Sequence, residues 1–338
     1  MYPLPARRLI FCALVGLCCT VMGAETNKTE TKLKVTEKVS KGGQPEYVLE
    51  NSFLQVRVQP HSGGRVVVTN PWKGEQSGRD AVLEDSLGGS VCRYSPDYAA
   101  ESSSLGIVSL SFQGHGVRIR KTYSLLQHES ALRVQYRIEN RSTRPQRLAA
   151  RSIFWTEKTA ANIAAGLGDD GLDRWTAREL RRGGNVSWKN PRWVSLIGQE
   201  QGRGFVLAPD PGVWEKASVT DDDVKGGLEV TSSSVQIPHD ARLLADVRLI
   251  RLKGMSSISA VQQGLVTKMS AETAGKTTRL DIGLYPFRHV DMAGLELGIR
   301  DEAGQQLSTL RRDGLGLSAG RVTALSFYWR APRPGWYE

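Results

Sequence analysis

Apolar and polar positions alternate along much of this chain with the period of two that marks a strand with one buried face. Leu54, Val56 and Val58 alternate with Gln55, Arg57 and Gln59. Gly63-Gly64 then supplies the positive φ of a tight reversal, and Arg65 to Thr69 runs back. Val117, Ile119 and Tyr123 form a second run, and Leu132, Val134, Tyr136 and Ile138 a third, joined through Gln127-His128-Glu129-Ser130. Further strands are expected at 193–197, 204–208, 227–235 and 242–252. Residues 156–192 break the alternation and read as a long irregular insertion with a short helix near 158–165. Asp221-Asp222-Asp223 reads as a charged turn. Beyond residue 267 shorter strands follow one another, carried by Leu280, Ile282 and Leu284, by Leu295, Leu297 and Ile299, and by Val322, Ala324, Ser326 and Tyr328.

Two of these hairpins have a recognisable form. One is L-E-N-x-F-L-x-V-x-V-x-P followed by G-G-R-V, from Leu49. The other is V-x-I-x-K-x-Y-x-L followed by L-x-V-x-Y-x-I-x-N-x-S, from Val117. Together they resemble the galactose-mutarotase-like β-sandwich. The resemblance implies an all-β fold, with a large antiparallel β-sandwich (a mutarotase-like supersandwich) over residues 46–266. A small immunoglobulin-like β unit is expected over 267–338. It also implies sugar handling, since the fold serves epimerases and accessory domains of carbohydrate-active enzymes. The family's active epimerases carry a histidine in an H-x-Y-F-N-like segment. None of His61, His115, His128, His239 and His289 stands in such a segment, so the fold is expected without the epimerase constellation.

The first 23 residues read as a secretory signal, with basic Arg7-Arg8, an apolar stretch from Leu9 to Val21 and small residues before the cleavage point. Residues 24–45, rich in Lys, Thr and Glu, read as a flexible leader or a loosely held first strand. Export to the periplasm or the extracellular space is therefore expected, and no later stretch is apolar enough for a membrane-spanning helix. Three of the four cysteines lie in the signal, leaving Cys92 with no partner for a disulfide. The net charge is +10, but its arginines (Arg118, Arg120, Arg133, Arg137, Arg248, Arg251) alternate with apolar residues as on a solvated sheet face. No nucleic-acid motif accompanies them. Apart from bland solvation, such a balance suits an anionic polysaccharide or a membrane surface.

No metal site or cofactor is expected: the mature chain has one cysteine, and neither H-x-x-x-H, a phosphate loop nor a dinucleotide fingerprint occurs. Candidate chemistry falls on the irregular stretch and the turns. Trp175 and Trp188 sit among Arg174, Arg178, Arg181, Arg182 and Arg192. Indoles stack on sugar rings, while Arg bonds hydroxyls or carboxylates. Trp175, Trp188, Arg65, Arg182 and His289 are the candidate ligand-binding residues. His61, Glu157 and Asp170 are the candidate acids and bases if the chain is an enzyme. The reading is an exported, non-catalytic carbohydrate-binding protein. The alternatives are a sugar-active enzyme (epimerase, lyase or hydrolase) and an interaction protein of the cell envelope with an envelope partner.

Overall fold

The computed structural model describes residues 32–40, 42–69, 81–87, 90–154, 161–167, 171–176, 179, 185–198, 202–209, 216–222, 227–232, 235–262, 264–301, 303–330 and 332. The expected signal lies outside them. The chain begins with β1 (Lys34–Val39), β2 (Pro45–Glu50), β3 (Gln55–Gln59), β4 (Arg65–Thr69), β5 (Ala81–Leu87) and β6 (Ser90–Val91). It continues with β7 (Ser95–Glu101), β8 (Leu105–Gly114), β9 (Val117–Leu126), β10 (Ala131–Asn140), β11 (Gln146–Phe154) and β12 (Ala161–Gly166). Then come β13 (Leu172–Thr176), β14 (Asn185–Lys189), β15 (Trp193–Gly198), β16 (Gly204–Pro209), β17 (Lys216–Asp222), β18 (Gly227–Ser232), β19 (Val235–Ile237) and β20 (Arg242–Leu252). The last strands are β21 (Ala260–Gln262), β22 (Leu265–Ala274), β23 (Thr277–Pro286), β24 (Val290–Arg300), β25 (Gln306–Leu317) and β26 (Thr323–Arg330).

The fold is all-β. An eleven-stranded sheet has the order β1-β2-β3-β4-β5-β11-β18-β17-β14, with β6 on β5 and β19 on β11. A nine-stranded sheet has the order β13-β12-β15-β16-β20-β10-β9-β8-β7. The inward residues of both form one core, with Val56, Val58, Val66 and Val68 from the first sheet and Ile119, Tyr123, Leu132 and Val134 from the second. This is the alternation of the two hairpins, one face against the opposing sheet and one outside. β22, β23 and β26 with β21 form a small sheet, and Leu265, Ile282 and Leu284 face Val290, Leu295 and Leu297 of the β24–β25 pair. β22 runs across position 267, so this small unit starts before the change in sequence character.

The polar residues that mark the two hairpins are buried ties. Asn51 Nδ2 donates to the carbonyls of Leu126 and Glu129 at 2.7 and 2.8 Å, while its Oδ1 accepts the Phe53 and Leu54 amides. The first hairpin is thereby pinned to the β9–β10 connection. Asn140 Nδ2 likewise donates to the carbonyls of Arg144, Ile237 and Pro238.

Several expectations change. Over the second half of 24–45 the chain forms strand β1, which pairs with β2 along six residues, and Leu33 is fully buried. The helix expected near 158–165 is strand β12 over its second part, hydrogen-bonded on one side to β13 and on the other to β15. Two ladders outweigh the helical preference of Ala161, Ala164 and Ala165. The described residues of the irregular stretch 156–192 include three strands, and Asp221 and Asp222 close β17 rather than a turn.

Candidate functional site

β12, β13 and β15 build the open edge of the nine-stranded sheet. Their register sets Ile163, Trp175 and Leu196 side by side facing the core. Asn162, Ala164, Arg174, Thr176, Ser195 and Ile197 stand on the outer face. The segment 255–259 crosses that outer face on its way to β21. Asn162 Nδ2 donates to the Ser256 carbonyl at 2.7 Å, and Arg174 Nη2 donates to the Ile258 carbonyl at 3.3 Å and to Ser259 Oγ at 3.1 Å. Between strap and sheet lies a cavity of about 320 Å³, walled by Asn162, Arg174, Thr176, Glu179, Ser195 and Ser257, and on its apolar side by Ala164, Ile197 and Ile258.

The electrostatics of this cavity centre on Arg174. Both of its hydrogen-bond partners are neutral, and among the described residues no carboxylate pairs with it. Burial pulls its guanidinium below the ordinary arginine value. Glu179, the other charged group of the wall, is already engaged: its Oε2 accepts the Thr176 amide at 2.7 Å and the Thr176 hydroxyl at 2.9 Å. The Glu179 amide donates back to Thr176 Oγ1 at 3.2 Å. Thr176-x-x-Glu179 is thus a reciprocal capping box, a pattern legible in the sequence but not read there.

Among the described residues, the members of the expected ligand cluster stand in three separate places. Trp175 and Trp188, expected in loops, stand on β13 and β14, the last strands of the two sheets. Both indole N–H groups donate to one oxygen of Asp173, at 2.9 and 2.7 Å. Asp173 therefore stitches the two sheets together along one side of the sandwich. Trp188 is buried, and Trp175 is half-buried against the core while bordering the cavity. His61 is exposed in the β3–β4 turn. Arg65 lies on β4, half-buried, with its Nε enclosed and without a hydrogen-bond partner. His289 is in the small unit, where its Nε2 pairs with Asp291 Oδ1 at 2.8 Å. Glu157, Asp170 and Arg182 lie outside the described residues.

A second cluster went unread in the sequence. Lys121, on β9, points inward between Ile119 and Tyr123, and its ammonium lies 2.7 Å from Asp85 Oδ2 of β5, both side chains without exposed surface. Tyr94 donates to Asp85 Oδ2 at 2.9 Å and Tyr136 to Oδ1 at 3.0 Å. Lys121 Nζ also donates to the Gly64 carbonyl at 3.3 Å, which accepts the Tyr123 hydroxyl as well. The rings of Tyr94, Tyr123 and Tyr136 surround the ammonium at 5.8, 5.2 and 5.1 Å. The signal was present: K in V-x-I-x-K-x-Y-x-L occupies a core position, where a lysine needs a partner.

Neither the protein-family models nor the curated proteins gave a match to this chain. Among solved structures, a galactose mutarotase-like protein from Clostridium acetobutylicum is similar, at 8% identity and a TM-score of 0.46, over 66% of this chain and 99% of that one. A galactose mutarotase-like protein from Lactobacillus casei is similar at 11% identity and a TM-score of 0.41, over 61% and 99% of the two chains. A TPR-domain containing protein from Parabacteroides distasonis is similar at 12% identity and a TM-score of 0.47, over 62% and 47%.

Proposed function

We propose that this chain is an exported carbohydrate-binding protein that takes an acidic sugar unit in the cavity between β12, β13 and the 255–259 strap. The observation that carries this reading is Arg174: an exposed cation at the cavity wall with neutral hydrogen-bond partners, set among amide and hydroxyl groups opposite an apolar side. Such a wall matches a pyranose, which presents hydroxyls at its rim and C–H groups on its faces. A uronate carboxylate would supply the charge that Arg174 lacks. The cavity is near the lower size limit of small-molecule sites, roughly 300 Å³, which suits one sugar unit at a time.

Binding is favoured over turnover. Glycoside hydrolysis takes two carboxylates, and Glu179 is the one carboxylate among the described wall residues, with an oxygen committed to Thr176. Calorimetric titration with glucuronate, galacturonate and glucose tests the proposal. Saturable binding of a uronate, weakened about tenfold or more in Arg174→Gln as expected for a lost charged hydrogen bond, is the expected result. Equal affinity for uronate and glucose would refute the role given to Arg174. A flat response to all three would turn the search to a protein partner in the envelope. Amino-terminal sequencing of the exported product checks the signal.

A further inference from the structure

We propose that Lys121 and Asp85 condense into an intramolecular amide, a covalent bond joining β9 of one sheet to β5 of the other across the core. Four features of the cluster converge on it. First, Nζ and Oδ2 are 2.7 Å apart with no exposed surface on either side chain. Groups held this way react as though at very high concentration. Second, phenol hydroxyls sit on both carboxylate oxygens, Tyr94 on Oδ2 and Tyr136 on Oδ1. Burial holds both phenols well above their ordinary value, so they remain protonated donors. Third, burial pulls the Lys121 ammonium below its ordinary value, with Asp85 opposing, which favours a free amine. Fourth, a buried ion pair bears the desolvation of two charges, a cost that a neutral amide removes.

The step balances. A proton passes from Nζ to Oδ2, giving amine and acid. The Nζ lone pair attacks Cγ, and the carbonyl π pair moves onto Oδ1, where Tyr136 donates as an oxyanion partner would. A second proton passes from nitrogen to Oδ2, which leaves as water. Nothing is oxidised or reduced. The Gly64 carbonyl, accepting from Nζ, orients the amine during this sequence, and closure of the two sheets expels the water from an apolar core.

Denaturing intact-mass measurement of the full chain, followed by tryptic mapping, tests this directly. The expected mass is one water below that calculated for the chain from its sequenced amino terminus. Peptides 80–93 and 121–133 should appear as one branched species, uncut after Lys121. Lys121→Arg should restore the lost water. Full sequence mass with the two peptides separate would overturn the proposal and leave a buried ion pair. A deficit that persists in Lys121→Arg would also overturn it, placing the dehydration elsewhere, as at the Asp-Gly pairs 170–171 and 313–314.

Discussion

Cys92 shares the buried cluster of Lys121 and has no exposed surface. Burial above all pushes its thiol up to about 12. Since the thiolate is the nucleophile, this side chain is inert across the physiological range. Native protein at pH 8 is expected to resist iodoacetamide at Cys92, and addition of urea should make the same residue label fully. Peptide mapping of the 80–93 fragment reads the result. Rapid labelling of the native protein would mean that the cluster opens readily. The same residue-scale logic applies to Asp173. Its carboxylate satisfies two indole N–H groups at once, so the N–H groups of Trp175 and Trp188 are held by an internal acceptor.

The turn between β3 and β4 shows why the G-G-R-V pattern takes its form. Gly63 and Gly64 both have positive φ, +75° and +54°. A Cβ on Gly64 would stand 2.8 Å from the Tyr123 hydroxyl and 3.1 Å from the Tyr94 ring. Gly64→Ala therefore carries a backbone cost of about 1–2 kcal/mol and a contact cost on top. Gly43→Ala, at φ +74° with open space around its Cβ position, should carry the backbone cost alone. Urea denaturation of the two variants is expected to show the larger loss at Gly64, and equal losses would refute the close approach. At this scale the sequence is legible wherever a strand is long and one-sided. β3, β9 and β10 read correctly because Leu54, Val56, Val58, Ile119, Leu132 and Val134 repeat every second residue against a deep core. β12 to β14 do not. They are five or six residues long and lie at or next to sheet edges, and Arg174, Trp175, Trp188 and Asp173 are used in bonds to the strap, to the opposite sheet and within β13 that leave no period. The cavity shares that fate. Asn162, Arg174 and Ser257 come together only through the 255–259 strap, a juxtaposition that spacing along the chain does not contain.

Across the whole molecule, each open side of the sandwich is bridged by an acid from the nine-stranded sheet. Asp173 of β13 receives Trp188 from β14, and Glu101 of β7 receives the Val35 amide from β1. Between these seams lies the Lys121–Asp85 contact, so the sheets are joined at both margins and through the middle. That arrangement leaves β7 as an outer strand whose seven residues are all exposed. A strand in this position offers unpaired backbone groups to any passing chain. Here Pro96 withholds a donor, Asp97 adds charge, and the register breaks between Pro96 and Tyr98. Replacing Pro96 with Val and Asp97 with Thr should scarcely alter unfolding, since the exposed Asp97–Arg120 pair contributes little. Light scattering from the concentrated variant on gentle warming should nevertheless rise well before that of the parent. Two residues that touch neither the cavity nor the core would then govern how long this protein stays in solution as single molecules instead of joining edge to edge into fibres.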